Sequence, residues 1–438
     1  MRVSVAGTGY VGLVTAVCLA EKGNIVTCVD IDREKINLLN SGVSPIYEPQ
    51  LEELMWKNKN MILYQNDYIE AYRDADLIII AVGTPEKNDG SANLQYLFEV
   101  AKQIANTVVK DCVVAIKSTV PVGTNDKVER IIKENLKYDV KIEVVSNPEF
   151  LAQGTAVRDT LSATRIVLGV ESENAEQVMK EVYREFNIPY VITDRKSAEM
   201  IKYASNDFLA LKVSYINEIA NLCEIVGANI EDVSKGMGMD PRIGNQFLNA
   251  GIGYGGSCFP KDTKALHWLA NYNDYELKTI KATIEINENQ KIKLIKKARK
   301  YFNSLNGLNV AVLGLTFKPG TDDLREAPSL TNIPLLLEGG AKVNVWDPVG
   351  MENIKKIFLD EISYSSSIEE AITNADICFI FTEWPEIKDF DIEKYAKLMK
   401  RPLIIDGRNC YSVTDATNSG IIYDSIGRKT IAEELLKI

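Results

Sequence analysis

A chemical reading of this 438-residue sequence starts at Cys258, in the stretch GIGYGGSCFPKD over Gly251–Asp262. Glycines at 251, 253, 255 and 256 precede the thiol, and Lys261 and Asp262 follow it. Glycine is entropically costly to order, so such a run implies positive φ or backbone pressed close to something else. The expectation is a loop in which a ligand passes against Gly251 to Gly256 and Cys258 stands beside it. A cation and an anion within four residues can favour the thiolate and steady charge during a reaction. An inert thiol in a glycine turn is the competing reading, weighed against the rest of the chain.

Lys202 and Asn206 are the next pair. A helix is expected from Ser197, with Ile201, Ala204, Phe208, Leu211, Tyr215, Ile219, Leu222 and Val226 at three- and four-residue steps before Gly227. Lys202 and Asn206 are four residues apart, so an ammonium and an amide share one helix face. Two such donors suit a developing oxyanion, whereas a solvated pair is the plainer alternative. The sequence holds a single histidine, His267, in KALHWLA, where packing or surface exposure is the simpler reading. Proton transfer would then fall to Lys, Asp, Glu, Cys or water.

These groups need a scaffold, and the N-terminus supplies its signature. The run RVSVA is followed by Gly7-Thr-Gly9-Tyr-Val-Gly12, a helix ending near Gly23, a strand at Ile25–Val29 and then Asp30. Strand, glycines, helix, strand and acid in register are the dinucleotide-binding pattern, and an acid at Asp30 favours NAD over NADP. Further strands are expected at Leu77–Val82, Val113–Lys117 and Glu143–Ser146, each followed by a loop: Gly83-Thr84-Pro85, Ser118–Thr124 and Asn147–Leu151. In a doubly wound parallel sheet such loops gather at the ligand edge. Gly236–Arg242 reads as a loop and Ala265–Arg299 as further helix.

From Gly307 the pattern restarts. NVAVL then Gly314 echoes VSVAG, KVNVWD echoes IVTCVD, and Asn374–Ile380 echoes Asp74–Ile80. A second Rossmann-like domain is the economical explanation. Its first turn lacks the second glycine and has Lys318 there; with Arg325 and Arg408 this suggests a different anion. The fold class expected is α/β, with two Rossmann-like doubly wound domains joined by a central, mainly helical segment. The boundaries are 1–195 for NAD binding, 196–300 for the helical catalytic and dimerising part, and 301–438 for the second Rossmann-like unit and its different anion.

Composition sets limits. Acidic residues outnumber basic ones 61 to 50, which argues against non-specific binding to nucleic acid or membrane. Seven dispersed cysteines with no C-x-x-C point to reduced thiols in a cytoplasmic protein rather than zinc or disulfides. No h-region or apolar run of membrane-spanning length is present.

Taken together, GxGxxG with Asp30, STVPVGT, NPEFL, Lys202 with Asn206, GGSCFPKD and FKPGTDD resemble the nucleotide-sugar 6-dehydrogenase family, over the whole chain and in order. The resemblance implies four-electron oxidation of UDP-glucose to UDP-glucuronate with two NAD⁺, through a covalent adduct on Cys258. It implies that Lys202 and Asn206 stabilise the oxyanion, that Asp262 and Thr119 hold the water or proton relay, and that Glu149 assists thioester hydrolysis. Lys202 as direct base remains open. The NAD contacts implied are Gly7, Gly9, Val11, Gly12, Asp30, Lys35, Thr84 and Thr119, with Gln153, Lys261 and Arg325. The sugar-nucleotide contacts implied are Glu149, Phe150, Leu151, Lys202 and Asn206; then Phe247, Leu248, Asn249, Ala250, Gly251 and Gly255; and finally Lys318 and Arg408, with Arg242 reaching a neighbouring subunit of a homodimer or larger homo-oligomer. Two departures stand out: Gln153 where many relatives have an acid, and Asn249 where some have lysine. GDP-mannose or another nucleotide sugar is the alternative substrate, and an NAD or nucleotide-sugar sensor is the non-enzyme alternative.

Overall fold

The structure is a computed structural model that describes residues 1–431. The chain divides into two compact units, Met1–Ser205 with Trp268–Asn273, and Asn206–His267 with Asp274–Ile438.

The first unit is built on eight strands: β1 (Arg2–Ala6), β2 (Ile25–Val29), β3 (Ile62–Gln65), β4 (Leu77–Ile80), β5 (Cys112–Ile116), β6 (Ile142–Ser146), β7 (Ile166–Gly169) and β8 (Tyr190–Thr193). Their order is β3-β2-β1-β4-β5-β6-β7-β8. Every ladder is parallel except β6 with β7, a correction to the all-parallel expectation. Strand period two explains why both faces are buried. On β4, Leu77 and Ile79 join one apolar cluster and Ile78 and Ile80 the other, on opposite sides of the sheet.

The second unit carries six strands: β9 (Asn309–Leu313), β10 (Lys342–Trp346), β11 (Ser363–Tyr364), β12 (Ile377–Ile380), β13 (Leu403–Asp406) and β14 (Ile422–Ser425), all parallel in the order β11-β10-β9-β12-β13-β14. That is the order of the first six strands of the other sheet, so the duplicated pattern in the sequence is a duplicated topology. Val310 and Val312 face one core and Ala311 and Leu313 the other.

Two helical expectations change. Gly236 and Gly238 lie within a helix, Ile230–Gly238, whose first turn is capped by the Asn229 side chain accepting from Glu231 N, so the predicted loop begins later. Ala265–Arg299 is not one helix but parts of three, Phe259–Tyr272, Lys278–Lys291 and Lys293–Ala298, broken first around Asp274 at φ +55°. The long helix Arg195–Val226 buries Tyr203 and Ile216 but leaves part of its apolar stripe outward. Phe208, Tyr215 and Leu222 are exposed, while Asn206, Ala210, Ser214, Asn217 and Ala220 are buried. The chain passes from one unit to the other within this helix. Among the described residues no helix is long and apolar enough to cross a membrane.

Candidate active site

The three glycines after β1 serve three separate needs. Gly7 has φ +95°, and a Cβ there would sit 2.8 Å from Ala81 O. A Cβ on Gly12 would lie 1.9 Å from Gly7 O, so this glycine lets the helix Tyr10–Glu21 approach the turn. Gly9 is different: a Cβ there meets nothing within 4 Å, and no side chain caps the helix that it begins. An uncapped helix N-terminus flanked by open space fits a pyrophosphate. Asp30, at the end of β2, accepts from Thr8 N at 2.8 Å and Thr8 Oγ1 at 2.7 Å on one oxygen and from Asp32 N at 3.1 Å on the other. Burial works against its charge, but these hydrogen bonds and Lys35, 3.6 Å away, hold it below the usual carboxylate range. A carboxylate offers about four acceptor sites, so Oδ1 keeps room for a ribose hydroxyl. These residues fit an NAD dinucleotide. Val11 lies in the first turn of the helix that follows.

Two carboxylates that sequence reasoning missed hold the loops beyond β5 and β6. Glu199, buried on the long helix, accepts from Gly123 N at 2.6 Å and from Asn125 N and Nδ2 at 2.8 and 2.6 Å, anchoring the loop of Thr119. Thr84 Oγ1 donates to Thr119 O at 2.9 Å, tying the β4 and β5 loops together. Glu48 accepts from Gly154 N and Ala156 N, both at 2.7 Å, and so fixes the segment containing Gln153, itself buried. Neither acid lies in a recognisable motif, and no spacing signal marks them.

Glu149 and Lys202 form a buried ion pair at 2.9 Å, with side chains 6% and 3% exposed. The second oxygen of Glu149 accepts from Leu151 N at 2.7 Å. Lys202 also stands 5.3 Å from the centre of the Phe150 ring, and Arg165 4.3 Å from the same ring. The ammonium is thus fixed by a carboxylate and an aromatic face rather than left to solvent.

In the second unit Cys258 is the last residue of the glycine loop, as expected, and immediately precedes the helix Phe259–Tyr272, where its carbonyl accepts from Asp262 N at 2.8 Å. The helix begins there because Pro260 fits a first turn, where its missing N–H costs nothing. A thiolate at a helix N-terminus is favoured by the macrodipole. Cys258 is half-buried, whereas burial pushes the Cys18 and Cys112 thiols up to about 12 and those of Cys28, Cys378 and Cys410 higher still. All seven cysteines are thiols. Asp262 is 1% exposed and bridges its neighbours, accepting from Asn206 Nδ2 at 2.7 Å and Lys261 Nζ at 2.5 Å. His267 lies half-buried further along the same helix.

The glycine run has the expected positive φ at two positions and a second reason that was not expected. Its missing side chains leave room for the protein itself: a Cβ on Gly251 would meet Gly407 O at 2.9 Å and one on Gly255 would meet Glu326 O at 2.4 Å. Gly253 and Gly256 have φ of +88° and +81°. Three amides unforeseen from the sequence hold the run: Asn217 accepts from Gly251 N, Gln290 donates to Gly251 O, and Asn287 both accepts from Tyr254 N and donates to Tyr254 O. Gly256 N donates to Arg325 O at 2.8 Å.

Leu248, Asn249, Ala250 and Arg408 line one cleft of about 420 Å³, together with Lys235, Lys388 and Glu383, which the sequence did not single out. Arg408 lies two residues beyond the end of β13 and donates to Phe381 O at 2.9 Å. Lys318 does not line that cleft; its Nζ stands 5.7 Å from the Phe317 ring. Arg325 lies in the loop 314–327 that follows β9, where it grips Asp323 with two nitrogens. Phe247 has φ +62° and packs on Phe259, and exposed Arg242 grips Asp240. At the end of β10, Asp347 occupies the place of Asp30 but accepts from Leu315, Thr316, Val349 and Gly350 N and from Trp384 Nε1. With that acid committed and the next helix delayed to Pro328, the second sheet lacks the tight dinucleotide turn.

Family models for the UDP-glucose/GDP-mannose dehydrogenases match the chain in three stretches: the NAD binding domain at 1–187, the central domain at 196–289 and the UDP binding domain at 311–413. UDP-glucose 6-dehydrogenase YwqF of Bacillus subtilis is 49% identical, with 98% of each chain covered. A solved UDP-glucose dehydrogenase from Pyrobaculum islandicum superposes with a TM-score of 0.92 at 35% identity, covering 98% of each chain. The UDP-D-ManNAc dehydrogenase of Pyrococcus horikoshii gives 0.86 at 29% identity over 98% of this chain and 99% of that one. A match of this extent, across both nucleotide folds and the helical stretch that holds the thiol, means that the chain belongs to the UDP-glucose/GDP-mannose dehydrogenase family.

Proposed function

We propose that the protein is an NAD-dependent UDP-glucose 6-dehydrogenase that oxidises the sugar's primary alcohol to the carboxylate. The observation that carries this reading is Cys258, a half-buried thiol at a helix N-terminus, ahead of the Asn206–Asp262–Lys261 cluster. Two NAD⁺, bound in succession, would supply the hydride acceptors, one for each oxidation. Alcohol oxidation releases one hydride and one proton; Asp262 and Thr119 hold the relay that removes the proton. The Cys258 thiolate then adds to the aldehyde carbon, forming a C–S bond while the carbonyl electrons move to oxygen. Lys202 and Asn206 stabilise that oxygen. Loss of a second hydride leaves a thioester, and water, assisted by Glu149, cleaves the C–S bond to release the acid and the thiol. Gln153 carries no proton in this scheme, so Glu149 acts alone or through water.

In this reading NAD is held by Gly7, Gly9, Val11, Gly12, Asp30, Lys35, Thr84, Thr119 and Gln153, with Lys261 and Arg325. The nucleotide sugar uses Glu149–Leu151, Phe247–Gly251, Gly255, Lys318 and Arg408. The division into 1–195, 196–300 and 301–438 accords with the three family matches. A homodimer, with Arg242 reaching the second copy, is supported by the exposed apolar residues of the long helix. Product stoichiometry tests the activity: two NADH per UDP-glucose are expected, one would mean an oxidation that stops at the aldehyde, and none would favour a sensor. A higher rate with GDP-mannose or a UDP-N-acetyl sugar would overturn the choice of substrate.

A further inference from the structure

Asp207 follows Asn206 on the long helix and is 2% exposed, and among the described residues neither of its carboxylate oxygens meets a hydrogen-bond partner. The contrast with Asp262 is direct, since both oxygens of Asp262 are engaged, by Asn206 and by Lys261. A buried carboxylate anion with no hydrogen bond is costly, whereas the neutral acid is tolerated. The groups that bear on Asp207 come from two other elements. On the cysteine helix, Asp262 opposes its ionisation and Lys261 assists it. On the glycine run, the Tyr254 phenol is itself pushed up by burial and then by Asp207 and Glu288. Burial first, and the charge of Asp262 second, push the Asp207 carboxyl up to about 8.

We propose that Asp207 is a positioning residue for the Asp262–Lys261 pair: as a neutral acid it leaves Asp262 as the single anion facing Lys261, and its ionisation disables that pair. With Asp207 protonated, one buried carboxylate faces one ammonium. Loss of its proton to solvent puts two mutually repelling carboxylates in competition for that one ammonium, which draws Lys261 away from Asp262 and disturbs the geometry of the relay. The role of the pair rests on the dehydrogenase reading, but the protonation of Asp207 does not.

The test is Asp207→Asn, which has the shape of the neutral acid and cannot ionise, with Asp207→Ala as a second neutral variant. In the wild type the rate of NADH formation should fall with rising pH, by up to about tenfold per unit above about pH 8. In Asp207→Asn that limb should disappear or move up by at least about one unit. A limb unchanged from the wild type overturns the proposal.

Stability gives a readout independent of substrate. An unfolded chain ionises this residue in the ordinary carboxylate range, whereas the folded protein holds its proton up to about pH 8. Between those values the folded state binds more protons, so the stability tied to this group is full at acid pH and is lost as pH rises towards 8. Melting temperature should therefore rise in Asp207→Asn relative to the wild type as pH increases through that window. A difference that does not vary with pH overturns the proposal. So does failure of both neutral variants to fold, because a site that holds a neutral acid accepts a neutral side chain. If the wild type produces no NADH from UDP-glucose, the functional reading falls while the melting series still decides the state of Asp207.

Discussion

At the scale of single residues, the seven thiols differ in position rather than in kind. Five are buried, Cys410 is half-buried but pushed well up by burial and Asp406, and Cys258 is half-buried at a helix start. Alkylation with iodoacetamide at neutral pH should modify Cys258 first, and mass spectrometry of the digested protein would show it. In Cys258→Ser the acid product should fall by about 10³-fold or more, because the alcohol lacks a thiolate's nucleophilicity, while the glycines of the nucleotide cradle are untouched. Acid formation at the wild-type rate would sink the covalent route. The thiol and its Lys-Asp neighbours were legible in the sequence because they are contiguous. Asp207 was not, because its significance depends on what fails to reach its oxygens, which no spacing records.

At the scale of elements, periodicity found the strands and the long helix but not which side of that helix faces out. β1, β2, β4, β5 and β6 begin within one residue of their expected starts, since β-branched runs buried on both faces leave little ambiguity. The helix's apolar spacing placed Phe208, Tyr215 and Leu222 in one stripe without showing which way it faces; in the structure these three are exposed, Ser214 and Asn217 lie inward, and Asn217 holds the glycine run. A hydrophobic face tells where water is excluded, not which surface excludes it. Glu48 and Glu199 were illegible for a related reason: a carboxylate that caps a distant loop is indistinguishable in sequence from a surface acid. The dinucleotide turn permits a sharper test, because its glycines separate binding from packing. Gly9→Ala adds a methyl into open space, so stability should change by no more than about 1 kcal/mol while NAD affinity drops about tenfold or more through the crowded pyrophosphate. Gly12→Ala drives a Cβ against Gly7 O and should cost about 2–3 kcal/mol or more. Equal melting temperatures for the two variants, or unaltered NAD binding in Gly9→Ala, would contradict this division of roles.

At the scale of the whole molecule, the exposed stripe of the long helix bears on assembly. Phe208, Tyr215 and Leu222 recur every seven residues, and Ile225 and Val226 extend the exposed surface at 81% and 65% exposure. A seven-residue apolar repeat on an isolated helix face is what a second helix packs against, and burying each such side chain is worth about 1.5–3 kcal/mol. The proposed homodimer would satisfy this face with its own copy, so the surface needs no other partner. Sedimentation equilibrium should give twice the chain mass for the wild type at micromolar concentration. Tyr215→Glu with Leu222→Glu sets charges into that contact, away from Lys202, Asn206 and the thiol, and should yield the single-chain mass with far-ultraviolet circular dichroism unchanged. Association that persists in the double variant would place the contact elsewhere, and a monomeric wild type would remove the dimer altogether. Because Asn206 and Asp207 share this helix with the stripe, the double variant carries a second reading: loss of activity on dissociation, with NAD affinity retained, would mean that pairing of the helices steadies the Asn206–Asp262 contact.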